Sequence, residues 1–164
     1  MNLIVNVILW IITIIAYNVI VYHGNFFPSD QYDSYIAGLC VELFAYIIGD
    51  IMYVKTTGKK FFFFSYLFAG IFGAFMLVSE EYPEMIASFS CRFCISLTYS
   101  GIYMSNSVFP VLFSSTAFGV CNFFAGIASL IFYEIVYKKD DPVQVSILTT
   151  LCLAGAMISV FLKE

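Results

Sequence analysis

The chain has 164 residues, of which 62% are hydrophobic, 20% are aromatic and only 11% are charged, with a formal net charge of −4. Soluble proteins carry about 25% charged residues, so a water-soluble fold is excluded for want of polar surface. The 7 basic residues form no basic stripe, so nucleic acid is not an expected partner. The composition predicts an all-α integral membrane protein whose surroundings are the lipid bilayer.

Apolar segments follow one another along the whole chain, and each is long enough to cross a membrane, which takes about 20 residues. The links between them are short and rich in glycine, proline and charged residues, as turns are. We therefore predict one multi-pass bundle without a second domain. Its six spans are expected at residues 3–22, 34–54, 61–79, 85–109, 112–136 and 143–162.

The lysines indicate how the bundle is oriented, because cytoplasmic loops carry an excess of positive charge. An N-terminus in the cytoplasm places four lysines inside and two outside. The four inner lysines are Lys55, Lys59, Lys60 and Lys163, and the two outer ones are Lys138 and Lys139.

Ionisable groups inside the spans are the first functional candidates, since a charge in the bilayer is costly. Glu42 and Asp50 lie in the second span and Arg92 lies in the fourth. Both spans run inward, and at 1.5 Å per residue Glu42 lies about 12 Å and Arg92 about 10 Å below the outer end. This shared depth predicts that Glu42 neutralises Arg92, whereas Asp50 has the simpler alternative of pairing with Lys55.

Helical spacing places polar and aromatic residues on one face beside these charges. Tyr46 lies one turn after Glu42, Thr13 and Tyr17 lie one turn apart in the first span, and one face of the fourth span carries Arg92, Ser96, Tyr99, Tyr103 and Ser107. Such faces suit a water-accessible cavity for a small solute, but they equally suit a polar seam between helices. Both interpretations stay open.

Catalytic and metal chemistry is not expected, so the chain is predicted not to be an enzyme and to hold no cofactor. His23 is the one histidine and lies in a predicted outer loop, which rules out a His-based triad or metal site. Cys91 and Cys94 form a CxxC without a second pair. These cysteines are read as small apolar fillers of a helix interface, with a metal site as the weaker alternative.

Several short stretches resemble the organic ion transporters of the major facilitator superfamily. CRFCIS (91–96) resembles the G-R/K-x-x-I-S of their tenth helix, with Arg92 on its basic position. GLCVELFAY (38–46) resembles the L-V-E-x-P-A of the eighth helix, with Glu42 on the acid, and LWIITIIAYN (9–18) resembles the W-F-x-x-x-x-x-Y of the seventh. SVFPVLFSSTAFGVC (107–121) and TGKK (57–60) resemble the L-Y-P region and the D-R-x-G-R-R turn.

This resemblance implies the C-terminal six-helix half of a twelve-helix facilitator, with Tyr17, Glu42 and Arg92 on the path of an organic ion. Lys55, Ser107 and Ser114 stand where the family has charges of a cytoplasmic gate. The implied partners are a small organic solute and a second six-helix half or a second copy. The predicted solute-binding residues are Tyr17, Glu42, Tyr46, Arg92, Ser96, Tyr99 and Tyr103, and the predicted cytoplasmic turn is Gly58, Lys59 and Lys60.

The sequence therefore predicts transport of a small organic solute by a secondary carrier, present as a fragment or half of a twelve-helix transporter. Arg92 and Glu42 would bind or balance a charged solute, and Tyr17, Tyr99 and Tyr103 would stack on it. The alternative is a membrane protein without transport activity, either a degenerate remnant or an accessory subunit, in which the polar residues only hold helices together.

Overall fold

A computed structural model describes residues 2–23, 31–78, 81–105, 109–136 and 141–162, and every regular element among them is an α-helix. The six helices begin and end as follows: α1 Asn2–His23, α2 Gln31–Lys55, α3 Gly58–Met76, α4 Glu81–Ser105, α5 Val111–Val136 and α6 Asp141–Ser159. The fourth predicted span runs to residue 109; α4 is described as far as Ser105, and residues 106–108 of that prediction lie outside the described residues. Phe109 is not helical, in keeping with its position before Pro110, where the helical conformation is disfavoured.

Five of the helices are long and apolar enough to cross a membrane, which indicates an α-helical membrane protein. The helix outside this group is α4, whose apolar run is interrupted by Arg92 and by several serines and tyrosines. The prediction of six spans therefore overstated the hydrophobicity of the fourth. The lysines at 138, 139 and 163, on which part of the predicted orientation depends, lie outside the described residues.

The helices pack in a pattern that repeats after three elements. Helix α1 packs against α4, α5 and α6, while α4 packs against α1, α2 and α3, and α3 packs against α6. The pairings correspond when α1, α2 and α3 are exchanged with α4, α5 and α6 in that order. The α1–α5 pairing then corresponds to α4–α2, and the α1–α6 pairing to α4–α3. The two three-helix units are therefore equivalent in these pairings. Helices α2 and α5 lie at the edges of the bundle and expose most of their apolar side chains.

The centre of the bundle is apolar and tightly packed. Trp10, Phe62 and Tyr66 are fully buried in one cluster, and Ala16, Cys91 and Cys152 in the adjoining one. Cys91, Cys94, Cys121 and Cys152 are buried free thiols, and no group of acidic, histidine or cysteine side chains among the described residues could hold a metal ion.

Glycines allow some of the helices to approach closely, and Gly101 gives a direct test. A methyl group at Gly101 would lie 2.3 Å from Cε1 of buried Phe61, whereas nothing lies within 4 Å of one at Gly119. We expect Gly101→Ala to lower the free energy of unfolding by at least about 1 kcal/mol through overpacking. Gly119→Ala should be neutral or slightly stabilising, since alanine is the better helix former. Thermal unfolding in detergent, followed by circular dichroism, compares them, and equal midpoints would contradict the packing.

Candidate functional site

The predicted pair of charges is present between α2 and α4. Nε and Nη2 of Arg92 each lie 2.7 Å from Oε1 of Glu42. The two side chains are only 6% and 7% exposed, so water is nearly excluded from the contact. Among buried helices such a pair offsets part of the cost that either charge would carry alone. This geometry is why α4 tolerates an arginine in its apolar stretch.

Tyr17 of α1 completes the cluster from a third helix. Its hydroxyl donates a hydrogen bond of 3.1 Å to Oε2 of Glu42, the carboxylate oxygen that Arg92 leaves unoccupied. Both carboxylate oxygens of Glu42 are therefore occupied: Oε1 by Nε and Nη2 of Arg92 from α4, and Oε2 by the Tyr17 hydroxyl from α1. We call these three residues, Tyr17, Glu42 and Arg92, the charged cluster.

Gly38 makes room for the arginine, and the sequence analysis did not single it out. It lies one turn before Glu42 on α2. A methyl group on Gly38 would lie 2.3 Å from Nη1 and 2.7 Å from Cζ of Arg92. The guanidinium group therefore rests against bare backbone, and its position depends on the missing side chain. The spacing of four between Gly38 and Glu42 is the only signal for this in the sequence.

Tyrosine rings continue from the charged cluster along one side of the bundle. Ring centroids lie 5.4 Å apart for Tyr17 and Tyr99, 6.4 Å for Tyr46 and Tyr99, and 5.3 Å for Tyr99 and Tyr103. The hydroxyls of Tyr99 and Tyr103 lie 3.1 Å apart. Three of the rings are partly buried, and Tyr103 is 43% exposed. We call Tyr17, Tyr46, Tyr99 and Tyr103 the tyrosine row.

Two further aromatic residues extend the row and were not among the predicted site residues. Trp10 packs on Tyr103 at 5.5 Å and on Phe118 at 5.2 Å between ring centroids, and Phe118 in turn lies 5.7 Å from Tyr103. Trp10 is almost completely buried, and its indole ring packs on the ring of Tyr103. The seven-residue spacing of Trp10 and Tyr17, two helical turns, was the available signal.

Two further polar residues singled out in the sequence, Ser96 and Thr13, are buried. Ser96 is fully buried, and its hydroxyl has no hydrogen-bond partner among the described atoms. Thr13 is also buried, and its hydroxyl lies 2.6 Å from that of Tyr66, with the Leu9 carbonyl within reach of both. For Thr13 the polar-seam interpretation is therefore the right one. Ser107 lies outside the described residues.

Near the C-terminal end of α2, the partner of Asp50 lies on another helix. The Asp50 carboxylate accepts a hydrogen bond from the Ser100 hydroxyl of α4. Within the described part of the chain no ion pair joins Asp50 to Lys55, so the structure does not support the alternative of a pairing along α2. Ser100 lies eight residues after Arg92, as Asp50 lies eight after Glu42. Two parallel helices in register place the two pairs of residues at equal intervals.

The predicted turn of Gly58, Lys59 and Lys60 is the start of α3. Gly58 opens the helix after Thr57, and a methyl group there would lie 3.2 Å from the Tyr53 hydroxyl oxygen. Lys59 is partly buried and Lys60 is exposed. These residues connect α2 to α3.

Comparison with known proteins adds no assignment: no family model matches the chain, and no curated protein matches it either. The function must therefore be argued from the charged cluster and the tyrosine row themselves.

Proposed function

We propose that this protein moves a small organic solute across a membrane as a secondary carrier, and that its six helices form one half of a facilitator-type transporter. The observation that carries the proposal is the charged cluster, in which α1, α2 and α4 each contribute one hydrogen-bonding side chain at one point. The resemblance to organic ion transporters names the same three residues, Tyr17, Glu42 and Arg92, as lining the solute path.

The helix pairings support the half-bundle. Each half of a major facilitator transporter contains two three-helix repeats, and solute sites lie near the bilayer midplane where repeats meet. Here α1–α3 and α4–α6 have equivalent pairings, with α1 and α4 packed together between them. The charged cluster lies on these central helices and on α2. A complete path would then need a second six-helix half, or a second copy of this chain, opposite the tyrosine row.

The chemistry of the row suits an organic ion. Tyrosine rings offer flat apolar faces for stacking, and hydroxyls that orient a polar group. The exposed ring of Tyr103 is the point of access, and the partly buried ring of Tyr99 leads from it towards Tyr17. Because Arg92 and Glu42 already neutralise each other, a charged solute must compete for one member of the pair. Binding would thus loosen the contact between α2 and α4, which is a means of coupling binding to helix movement.

The alternative is a membrane protein without transport activity, and one observation favours it. The Arg92–Glu42 pair is nearly sealed and already neutral, so it is sufficient as a structural tie between two helices. A structural tie and a solute site differ in one respect: only the latter responds to an added solute.

Trp10 provides the test, because it is the only tryptophan in the sequence and lies against Tyr103. Purified protein in proteoliposomes would be titrated with benzyltrimethylammonium and with benzoate, aromatic ions of opposite charge. We expect a saturable change in Trp10 emission with one of them, together with its uptake. The double variant Glu42→Leu/Arg92→Leu should bind at least about tenfold more weakly, since hydrogen bonds to charged groups contribute about 1.5–3 kcal/mol and tenfold corresponds to 1.4.

Thr98→Val is the matched control on α4, because the Thr98 hydroxyl donates only to the Cys94 carbonyl of its own helix. This variant should bind and transport like wild type. Saturable binding that is equal in the double variant would remove the charged cluster from the proposed path. No response to either ion, in protein shown to be folded, would favour the structural alternative.

A further inference from the structure

The link between α2 and α3 concentrates positive charge at one end of the bundle. Lys55 is the last residue of α2, and Lys59 and Lys60 lie in the first turn of α3. Lys55 and Lys60 are exposed, and within the described residues neither of them forms an ion pair. We call Lys55, Lys59 and Lys60 the lysine turn.

The helix ends that meet around the lysine turn carry no acid. Asn6 at the start of α1 accepts a hydrogen bond from Ser105 at the end of α4. Gly101, also near the end of α4, packs on Phe61 in the first turn of α3. The terminal turns of α1, α2, α3 and α4 on this side contain no aspartate or glutamate, whereas α4 starts at the opposite end with Glu81. An anion that approaches the lysine turn therefore meets no like charge on these turns.

Each exposed lysine stands at one end of an exposed apolar stripe. Positions four, seven and eleven residues before Lys55 share its face of α2, and positions four, eleven and fifteen residues after Lys60 share its face of α3. Both helices are long and apolar enough to span a membrane, so the stripes lie at the depth of the lipid chains. The lysines then lie at the level of the headgroups. The exposed side chains of the stripes are Phe44, Ile48 and Ile51 on α2, and Phe64, Ile71 and Phe75 on α3.

From this arrangement we infer that the lysine turn binds the phosphate of an anionic phospholipid, whose acyl chains lie along the two stripes. A lysine ammonium group has three N–H donors, which suit phosphate oxygens. Each lysine near an anionic membrane surface strengthens the attraction about fivefold. This lipid site needs only a bundle that spans the membrane, and it does not depend on transport.

A lipid fits this surface better than a free anion does. Inorganic phosphate would contact only the lysines and would gain nothing from the stripes. A zwitterionic lipid could use the stripes, but its own cationic group would compete with the lysines for the phosphate. The predicted orientation also places the lysine turn in the cytoplasm, where the facing leaflet holds the anionic lipids.

Native mass spectrometry of the whole protein, released from detergent with equal amounts of dioleoyl phosphatidylglycerol and dioleoyl phosphatidylcholine, tests the site. We expect wild type to retain phosphatidylglycerol at least about tenfold better than phosphatidylcholine. The variant Lys55→Gln/Lys60→Gln should bind phosphatidylglycerol about thirtyfold more weakly, which is about fivefold for each lysine. Its retention of phosphatidylcholine should not change. Equal retention of the two lipids by wild type would overturn the inference.

The matched control is Lys138→Gln/Lys139→Gln, which removes the same charge from two lysines that follow α5 in the sequence. This variant should retain phosphatidylglycerol as wild type does. Equal weakening by both double variants would mean that net charge alone attracts the lipid, and it would overturn the assignment to the lysine turn. Undiminished binding by Lys55→Gln/Lys60→Gln would overturn it as well.

If Lys55→Gln/Lys60→Gln does not fold, wild type alone decides the question. Raising the salt concentration from about 0.1 M to about 1 M shortens the screening length from about 10 Å to about 3 Å. Retention of phosphatidylglycerol should then fall, while retention of phosphatidylcholine stays constant, and a lack of salt dependence would contradict the site. Inorganic phosphate at millimolar concentration should not displace the lipid; displacement would identify a free-anion site instead. None of these outcomes affects the solute titration of Trp10, so the two proposals fail separately.

Discussion

Detergent-solubilised Glu42→Leu is expected to unfold far more easily than wild type, with a loss of about 3–5 kcal/mol in the free energy of unfolding. Arg92 would remain in α4 with its guanidinium buried and without a counter-charge, because Glu42 is the acid that it contacts. Tyr17 would lose its acceptor as well. Thermal unfolding followed by circular dichroism measures the change, and the yield of protein extracted from membranes gives an independent indication.

The double variant Glu42→Leu/Arg92→Leu separates charge from packing. Replacing both members of a buried ion pair with apolar residues is often neutral or stabilising. We expect the double variant to recover to within about 1 kcal/mol of wild type. If it remained as unstable as Glu42→Leu, the damage would come from lost packing or from Tyr17, and the unpaired charge would not be the cause. A stable double variant also provides the folded protein that the solute titration requires.

The class of the fold and the Arg92–Glu42 pair could be predicted from the sequence for one physical reason. In a bilayer, polar residues are too costly to be placed at random, so the few that occur in apolar helices must find one another. Counting residues from the ends of two spans that run in the same direction then gives the partner, since the rise of a helix is constant. Glu42 and Arg92 were found in this way, and the structure places them 2.7 Å apart.

Spacing along a single helix was a poorer guide to the partner of a polar residue, because the partner can lie on a neighbouring helix. Asp50 and Lys55 are five residues apart on α2, yet Asp50 bonds to Ser100 on α4. Side chains five apart do not share a helix face as those three or four apart do, and parallel packing of α2 on α4 brings Ser100 nearer. Thr13 likewise repeats one turn before Tyr17 but bonds towards Tyr66 of α3. The spacing of polar residues therefore identified which helices carry the site, whereas the hydrogen-bond partner of each residue could be known only from how the helices pack.

Gly38 and Trp10 show a further limit. A glycine in an apolar helix can serve several kinds of close packing. The sequence around Gly38 does not indicate that the guanidinium group of Arg92 lies against it. The burial of Trp10 behind Tyr103 depends on α1, α4 and α5 meeting, which hydropathy does not encode. Both residues become functional candidates only through the helix pairings.

Gly38→Ala is expected to break the ion pair without touching either charged residue. The new methyl group would meet Nη1 of Arg92 at 2.3 Å, and the guanidinium group, as the end of a flexible side chain, can move away where backbone could not. It would leave Glu42, and the buried pair would lose its geometry. We expect a loss of about 3 kcal/mol in stability, at the upper end of coupling between residues in contact. Thermal unfolding measures the loss, and weaker binding in the Trp10 titration should accompany it.

A double-mutant cycle decides whether Gly38 acts through Arg92. In the Glu42→Leu/Arg92→Leu background there is no guanidinium to displace, and a leucine at 92 leaves the space beside Gly38 less filled. There Gly38→Ala should be neutral or stabilising by up to about 1 kcal/mol, the gain of alanine over glycine in a helix. A loss as large as in wild type would mean that the methyl group disturbs the α2–α4 backbone contact itself. The difference between the two backgrounds is the coupling energy of Gly38 with the ion pair, and it should account for nearly the whole effect.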